Sequence, residues 1–280
     1  METLESKVNA YLHANARNRK VNEPCGPFHI GFDAGNPNPF LNYAVPQSGA
    51  AIGAEDIAAL VKAFEQRGRT PRLEFAPGGA PGVEEALLAA GFEVQQRLPF
   101  MIVTAAELSG PHPIDGVEVL VLDASATDED LRGVAIAQWE AFGDPEEAHD
   151  DAAFDADVAG LRAAVESGKF AVLARGATDG TAAEGEAGVP MAGGTCGLGI
   201  DGTTEVGGIA TRPAFRRRGI GAAVTAALTR HLLEVSGLDC VWLSPAGPDQ
   251  ERLYATVGYR SLGEMLFIWL PGAGAGEASE

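Results

Sequence analysis

Apolar residues recur at helical spacing in several parts of the chain. The longest such pattern follows Gly219 and consists of Ile220, Val224, Leu228, Leu232 and Val235. One-sided patterns of the same kind occur near the N-terminus, at Leu4, Val8, Tyr11 and Leu12, and later at Phe154, Val158, Leu161 and Val165. Apolar residues at intervals of three and four predict amphipathic helices that pack one face against a flat surface.

Short segments rich in β-branched and aromatic residues alternate with these helices. They cover residues 40–45, 72–76, 117–123, 169–175, 204–211, 239–244 and 265–270. Such runs predict strands, and their alternation with helices predicts a mixed α/β fold. Residues 176–190 contain few large apolar side chains and are interpreted as a hairpin loop. The tail at 271–280 is expected to be disordered.

The two halves of the sequence resemble each other. When the segment starting at residue 226 is placed over residues 58–103, Pro245 falls on Pro77 and, after a one-residue gap, Gly258 falls on Gly91. Each copy is interpreted as a helix, a strand, a short helix and two further strands. We therefore expect two related domains, 1–110 and 111–280, with the Pro- and Gly-containing segment at 111–116 as the linker.

Composition excludes several classes of function. The chain of 280 residues has 39 acidic and 20 basic residues and a formal charge of -19, which argues against binding to nucleic acid. Cys25, Cys196 and Cys240 have neither the number nor the spacing of a disulfide framework or a zinc site, so no metal is expected. The sequence contains no apolar run typical of a signal peptide or a membrane span. These features favour a cytoplasmic protein, monomeric or homodimeric.

Three consecutive arginines precede the longest helix in the segment RRRGIG, residues 216–221. The amides of a first helical turn lack acceptors within the helix and lie at the positive end of its dipole, so they bind anions. Glycines allow a phosphate to approach the backbone, and guanidinium groups add charge and donors. The segment therefore predicts a phosphate cradle. A solvated basic helix start and a nucleic-acid patch are the alternatives, the second weakened by the lack of interleaved aromatic residues.

At this segment the sequence resembles the GNAT superfamily of acyl-CoA-dependent N-acyltransferases. The family signature is a strand followed by Arg or Gln, two residues, Gly, one residue, and Gly or Ala, which Arg216 to Gly221 match. The resemblance covers residues 117–270 and implies a mixed, mostly antiparallel sheet flanked by helices. It also implies a tandem protein whose N-terminal half, without the loop, is a degenerate GNAT-like domain. Acetyl-CoA is the implied co-substrate, bound by Ile209, Ala210, Thr211, Arg216, Arg217, Arg218, Gly219, Ile220, Gly221 and Ala222.

The resemblance also implies catalytic roles. Glu205 matches the glutamate that acts as general base in some members, although a charged strand end facing solvent is the simpler interpretation. The amide of Ile209 or Ala210 is expected to stabilise the oxyanion. Tyr254 matches the tyrosine that donates a proton to the sulfur of coenzyme A, and the other copy has Leu87 at this place. The alternative for Tyr254 is a packing residue.

The fourth strand and the fourth helix carry further signals. In this fold the fourth and fifth strands splay to admit the pantetheine arm, and Gly207 and Gly208 fit a fourth strand that bulges. Asp249 and Gln250 stand where the family usually has an Asn before the fourth helix, so that cofactor contact stays open. His231 lies on an apolar helical stripe and is interpreted as a packed residue.

The acceptor site is expected within residues 139–157, where the first two helices meet. Trp139 and Phe142 could line a pocket. His149 is a candidate base, or a loop histidine without a chemical role. Nearby carboxylates could attract a cationic amine, or could belong to a solvated acidic loop; they are Asp144, Glu146, Glu147, Asp150 and Asp151.

We therefore expect an acetyl-CoA-dependent N-acetyltransferase that acts on a primary amine of a small molecule or peptide by direct attack in a ternary complex. A non-catalytic acyl-CoA-binding or regulatory module is the alternative.

Overall fold

The structure is a computed structural model that describes residues 3–110, 113–143 and 149–272. Its α-helices in chain order are α1 (Leu4–Arg17), α2 (Ala54–Glu65), α3 (Val83–Ala89), α4 (Asp128–Phe142), α5 (Asp151–Glu166), α6 (Ile220–Arg230) and α7 (Pro248–Ala255). Its strands are β1 (Val21–Cys25), β2 (Phe28–Phe32), β3 (Tyr43–Pro46), β4 (Arg72–Phe75), β5 (Glu93–Thr104), β6 (Val117–Leu122), β7 (Ala171–Gly176), β8 (Pro190–Cys196), β9 (Thr203–Thr211), β10 (Cys240–Leu243) and β11 (Arg260–Trp269). A π-helical turn, His231–Val235, continues α6.

The first compact unit comprises Met1–Phe100 and Ser261–Glu280. Its strands β1, β2 and β3 pair in antiparallel order, β3 runs parallel to β4, and β4 pairs with β11 in antiparallel direction. Helices α2 and α3 pack on this sheet through an apolar core that includes Phe28, Ile30, Leu60, Phe64, Leu73, Phe75, Leu87 and Leu266.

The second unit comprises Met101–Arg260. Strands β6 to β9 form an antiparallel series, β9 runs parallel to β10, and β10 pairs in antiparallel direction with residues 101–104 of β5. Helix α6 covers the sheet face that contains Val172 and Ala174. Helices α4 and α5 cover the opposite face, with Leu173 in a core of their own. This arrangement is the mixed, mostly antiparallel sheet flanked by helices that the resemblance implied.

The internal repeat corresponds to matching elements. Helix α2, strand β4, helix α3 and strand β5 in the first copy follow the same order as α6, β10, α7 and β11 in the second. Each copy ends in one long strand, where the sequence predicted two. The compact units divide at Phe100 and Ser261 rather than near residue 110, because β11 bonds to β4 and the end of β5 bonds to β10. Each unit thus completes its sheet with a strand from the other half of the sequence.

Strand β8 was missing from the sequence prediction. Its segment, PMAGGTC, has two adjacent glycines and lacks the alternation of a typical strand. A Cβ on Gly193 would lie 3.1 Å from Cα of Val134, and a Cβ on Gly194 would lie 2.4 Å from Cδ1 of Ile209. The glycines therefore allow helix α4 and strand β9 to pack closely against β8.

Candidate active site

Strands β9 and β10 are parallel neighbours whose pairing ends before β9 does. Register partners run from Thr203 and Cys240 to Glu205 and Trp242. Beyond Glu205, β9 continues to Thr211, and only its other edge pairs, with β8. The β9 edge beyond Glu205, the last paired position, is thus the opening at which the splay of the fourth and fifth strands is expected.

A β-bulge interrupts β9 beside this opening. Gly207 pairs with Thr195 and Ala210 pairs with Gly193, so that Gly208 and Ile209 together oppose the single residue between them. Gly208 has a φ of +60°, a conformation that favours glycine. Nε2 of Gln138, on α4, donates a hydrogen bond of 3.0 Å to the carbonyl oxygen of Gly208. The bulge expected at Gly207 and Gly208 is present, and α4 holds it.

The direction of the backbone groups discriminates between the two candidate oxyanion donors. The amide of Arg212 donates to the carbonyl oxygen of Met191 on β8, at 3.0 Å. Backbone groups alternate between the two edges of a strand, so Ala210 also directs its amide towards β8. Ile209 lies within the bulge, where this alternation does not apply. We therefore assign the candidate donor to the amide of Ile209.

The arginine loop joins β9 to α6 through a short 3₁₀ turn, Pro213–Phe215. Arg217 and Gly219 have φ values of +65° and +79°, and Gly219 is the N-cap of α6. No side chain caps this helix start, and its first turn contains no acidic residue. The amides of Ile220, Gly221 and Ala222 are first-turn donors, which have no acceptor within the helix. Since the side chains of Ile220 and Ala222 are buried, these residues offer only their amides.

The corresponding helix of the first unit has a different start. The amide of Gly53, the N-cap of α2, donates to Oδ2 of Asp56 at 2.9 Å, and Glu55 adds a second carboxylate to the first turn. On α1, Nδ2 of the buried Asn9 donates to the carbonyl oxygen of Pro46, at the end of β3. In this unit Asp56 therefore binds an amide at the helix start, and Asn9 binds a carbonyl oxygen at the strand end.

The two glycines of the loop have separate structural reasons. The positive φ of Gly219 is costly for other residues. A Cβ on Gly221 would lie 3.2 Å from Leu253 Cδ1 and 3.2 Å from Thr211 Oγ1. The close packing of α6 on α7 and β9 is thus a structural reason for Gly221, beside the expected one that it leaves room for a phosphate.

The guanidinium groups of Arg216 and Arg218 have different partners. Arg216 donates from Nε to the carbonyl oxygen of Thr211 at 3.1 Å. Arg218 forms a two-pronged ion pair with Glu186, at 2.9 and 3.0 Å, and lies 5.6 Å from the ring centre of Phe215. These hydrogen bonds hold the pKa of Glu186 below its usual range, so the carboxylate is charged at neutral pH. An anionic ligand at the loop has to compete with Glu186 for Arg218.

We expect Glu186→Gln to tighten the binding of acetyl-CoA. The amide keeps the shape of the side chain but removes the charge that competes for Arg218, and an exposed ion pair contributes up to about 1 kcal/mol, or roughly fivefold in affinity. Calorimetric titration with acetyl-CoA at low salt measures the effect. Glu184→Gln, an exposed change in the same loop, is the matched control. An unchanged or weaker affinity in Glu186→Gln would show that the ion pair does not compete with the cofactor.

Tyr254 and Glu205 lie on opposite faces of the sheet. Tyr254 is 8% exposed and belongs to the same apolar core as Val206 and Leu243. Glu205 and its register partner Trp242 are next to Val206 and Leu243 in their strands, and side chains alternate between faces. They therefore lie on the face that α4 covers. Burial raises the pKa of Tyr254 above its usual value.

Only some of the predicted acceptor residues are among the residues that the structure describes. Asp144, Glu146 and Glu147 lie outside the described residues. Asp150 accepts the amide of Ala153 at 2.9 Å as the N-cap of α5, and Asp151 pairs with Arg132 at 2.5 Å. These last two carboxylates serve the structure of α5. Trp139 and Phe142 line an open groove beside α5, as expected for a pocket.

Two polar contacts around β9 were missed by the sequence interpretation. Gln138 holds the bulge, and Arg212 forms a two-pronged ion pair with Glu140 of α4, at 2.8 and 2.7 Å. Both α4 residues face β9 across a gap of about 70 positions in the sequence, and no local pattern indicates their partners. They fix α4 to both ends of the bulged segment.

The remaining candidate residues have structural roles. Burial raises the pKa of Cys196 to about 11, and Sγ of Cys240 donates to Oγ1 of Thr203 at 3.3 Å. The ring of His231 packs edge-on against Phe170, 4.4 Å between centroids, as expected for a packed residue. Asp249 accepts a hydrogen bond from Arg252. Within the described residues, no group of three or more His, Cys, Asp or Glu side chains could hold a metal ion, and no helix is long and apolar enough to cross a membrane.

Comparison with known proteins agrees with this geometry. Residues 197–268, which contain the bulge, the arginine loop and α7, match the family model described as FR47-like protein. A GCN5-related N-acetyltransferase from Kribbella flavida has a similar structure, with a TM-score of 0.75 and 23% identity over 98% of both chains. The chain has the GNAT fold. A tandem GNAT protein from the clavulanic acid biosynthesis pathway is also similar, with a TM-score of 0.61 and 14% identity over 86% of this chain and 77% of that one.

A third GNAT structure extends the same likeness. A GCN5-related N-acetyltransferase from Sphaerobacter thermophilus has a TM-score of 0.57 and 17% identity over 87% of this chain and 76% of that one. None of the curated proteins matches the sequence. At these identities the likeness establishes the tandem GNAT fold, and the activity has to be argued from the residues of the site.

Proposed function

We propose that the protein is an acetyl-CoA-dependent N-acetyltransferase that acts on a primary amine. The observation that carries the proposal is the glycine-started helix α6, which has no side-chain cap and follows β9, a strand whose pairing with β10 ends at Glu205. A helix start without its own carboxylate binds a pyrophosphate, and a strand edge without a neighbouring strand can pair with an amide-containing chain. Coenzyme A carries both groups.

In this proposal the cofactor contacts follow the chain. The amides of Gly219 to Ala222 receive the pyrophosphate, and the exposed guanidinium of Arg217 adds positive charge. Arg218 joins them when it leaves Glu186. The open edge of β9, from Ile209 to Thr211, pairs with the pantetheine arm. The acetyl thioester then lies beside the bulge.

The proposed reaction is direct transfer. The neutral amine attacks the thioester carbonyl carbon, and the amide of Ile209 stabilises the oxyanion that forms. The carbon–sulfur bond then breaks, the amine nitrogen loses a proton towards Glu205, and the departing thiolate takes a proton from Tyr254. The raised pKa of Tyr254 keeps the phenol protonated through the neutral range. Since the two residues lie on opposite faces of the sheet, the amine and the thiolate exchange protons on opposite sides of the opening.

We expect acetyl-CoA to stabilise the protein against thermal unfolding. A ligand at about 100 times its dissociation constant stabilises the native state by roughly 2.7 kcal/mol. Arg217→Glu places a negative charge at the loop and is expected to weaken binding about tenfold, whereas Arg230→Glu, an equal change of charge at the far end of α6, should bind as the wild type does. The measurement is the unfolding temperature during titration with acetyl-CoA. If acetyl-CoA does not shift the wild-type protein, the proposed function is wrong.

A further inference from the structure

A groove lies between α4 and α5 in the second unit. Its volume is about 570 Å³. Its lining includes Gln138, Trp139 and Phe142 from α4 and Asp157 and Gly160 from α5. The ring of Phe142 is 64% exposed, which is unusual for a phenylalanine on a helix beside a cavity. An apolar ring in this position gives a ligand a surface to cover.

The groove holds a carboxylate among aromatic rings. Oδ2 of Asp157 lies 2.8 Å from Nε2 of His149, and the His149 ring stacks on Trp139 with 5.3 Å between centroids. The Asp157 side chain is 47% exposed. A carboxylate beside a tryptophan face is a favourable site for an organic cation.

Arg132 on α4 pairs with carboxylates other than Asp157. Asp151 and Asp155, on the same helix as Asp157, both pair with Arg132, at 2.5 and 2.9 Å. No lysine or arginine is among the described residues that line the groove. The described lining therefore contains the Asp157 carboxylate and no lysine or arginine, in a protein with a formal charge of -19.

Gln138 links the groove to the centre of the proposed reaction. Gln138 lines the groove and donates from Nε2 to the carbonyl oxygen of Gly208, in the bulge of β9. Asp157 is on α5, which packs on α4. A molecule lying in the groove can therefore contact both Gln138, which binds the bulge, and Asp157. The α4 residues that line the groove, from Ala135 to Phe142, extend over about 10 Å at 1.5 Å per residue.

The position of Asp157 limits what it can recognise. The amine that is acetylated has to be neutral when it attacks, and its proton acceptor belongs beside the thioester. Asp157 is on α5 and not on β9. Its carboxylate therefore suits a different, unreactive cationic centre of the same molecule. We propose that the acceptor is a diamine, a primary amine with a second cationic group that Asp157 binds against Trp139. This inference rests on the proposed function for its reacting end.

Binding tests the inference without catalysis. The wild-type protein and the variants Asp157→Asn and Asp155→Asn are titrated calorimetrically with 1,6-diaminohexane and with 1-aminohexane. Asp155 is the matched control because it is on the same helix outside the groove lining. We expect the diamine to bind the wild type, and Asp157→Asn to weaken its binding about three- to tenfold, as for a half-exposed charged contact. Asp155→Asn should leave it unchanged. Equal affinities for both amines, or equal effects of both variants, would overturn the inference.

Kinetics separate this inference from the proposed function. With acetyl-CoA, Asp157→Asn should raise KM for the diamine with kcat retained, and should leave kcat/KM for 1-aminohexane unchanged. Acetylation of 1-aminohexane with no diamine preference refutes the inference and supports the function. Asp157-dependent diamine binding without any acetyl transfer refutes the function and supports the groove as a diamine site.

Discussion

Tyr254→Phe is expected to lower kcat about 100-fold while the affinity for acetyl-CoA stays unchanged, since a positioned general acid contributes about 10²- to 10⁴-fold. The phenol is buried in an apolar core beside the opening of the sheet, where water is a poor substitute donor. Phenylalanine keeps the ring and its packing and removes only the proton. Steady-state kinetics and calorimetric titration with acetyl-CoA measure the two quantities separately.

Tyr259→Phe is the matched control for this variant. The ring of Tyr259 lies 6.2 Å from that of Tyr254, and its hydroxyl forms a 2.7 Å hydrogen bond with Oγ1 of Thr229. Loss of that bond should cost about 1 kcal/mol of stability and leave kcat near the wild-type value. Equal kcat values for Tyr254→Phe and the wild type would show that Tyr254 only packs. A protein that binds acetyl-CoA but acetylates no amine in either form would be the non-catalytic module instead.

The sequence predicts best what local physics determines. Helix α6 and the strand before it could be predicted because the apolar spacing after Gly219 and the glycines around it are local signals. The loop could be interpreted as an anion site for the same reason, since uncapped first-turn amides are a property of any helix start without a capping side chain. The contrast with α2, where Asp56 binds the amide of Gly53, came from the structure.

The contacts that complete the site are not local, and the sequence does not reveal them. Nothing near Glu186 indicates that its carboxylate meets Arg218, 32 positions later. Likewise, a glutamine on α4 gives no sign that it bonds to the bulge of β9. The exchange of β5 and β11 between units depends on which strand edges meet, which hydrophobic periodicity does not specify. The ion pair, the glutamine contact and the strand pairing are all determined by tertiary contacts between segments that are distant in the sequence.

The bulge of β9 allows a test in which neighbouring glycines give opposite results. Gly208 has a φ of +60°, and a Cβ there would lie 2.4 Å from Nε2 of Gln138. Gly207 has no atom within 4 Å of an added Cβ, and its φ lies outside the left-handed region. Gly208→Ala should therefore strain the bulge and displace Gln138, whereas Gly207→Ala keeps the backbone as it is.

The effect of Gly208→Ala on catalysis follows from what the bulge positions. The amide of Ile209, the next residue, is the proposed oxyanion donor, and loss of one such donor typically costs about 10²- to 10³-fold in kcat. We expect a loss of about 100-fold for Gly208→Ala and less than about threefold for Gly207→Ala, because only the first moves that amide. The loop and α6 are untouched, so both variants should still be stabilised by acetyl-CoA. Equal activities of the two variants would mean that the bulge does not position the oxyanion donor, and the role of Ile209 would then be wrong.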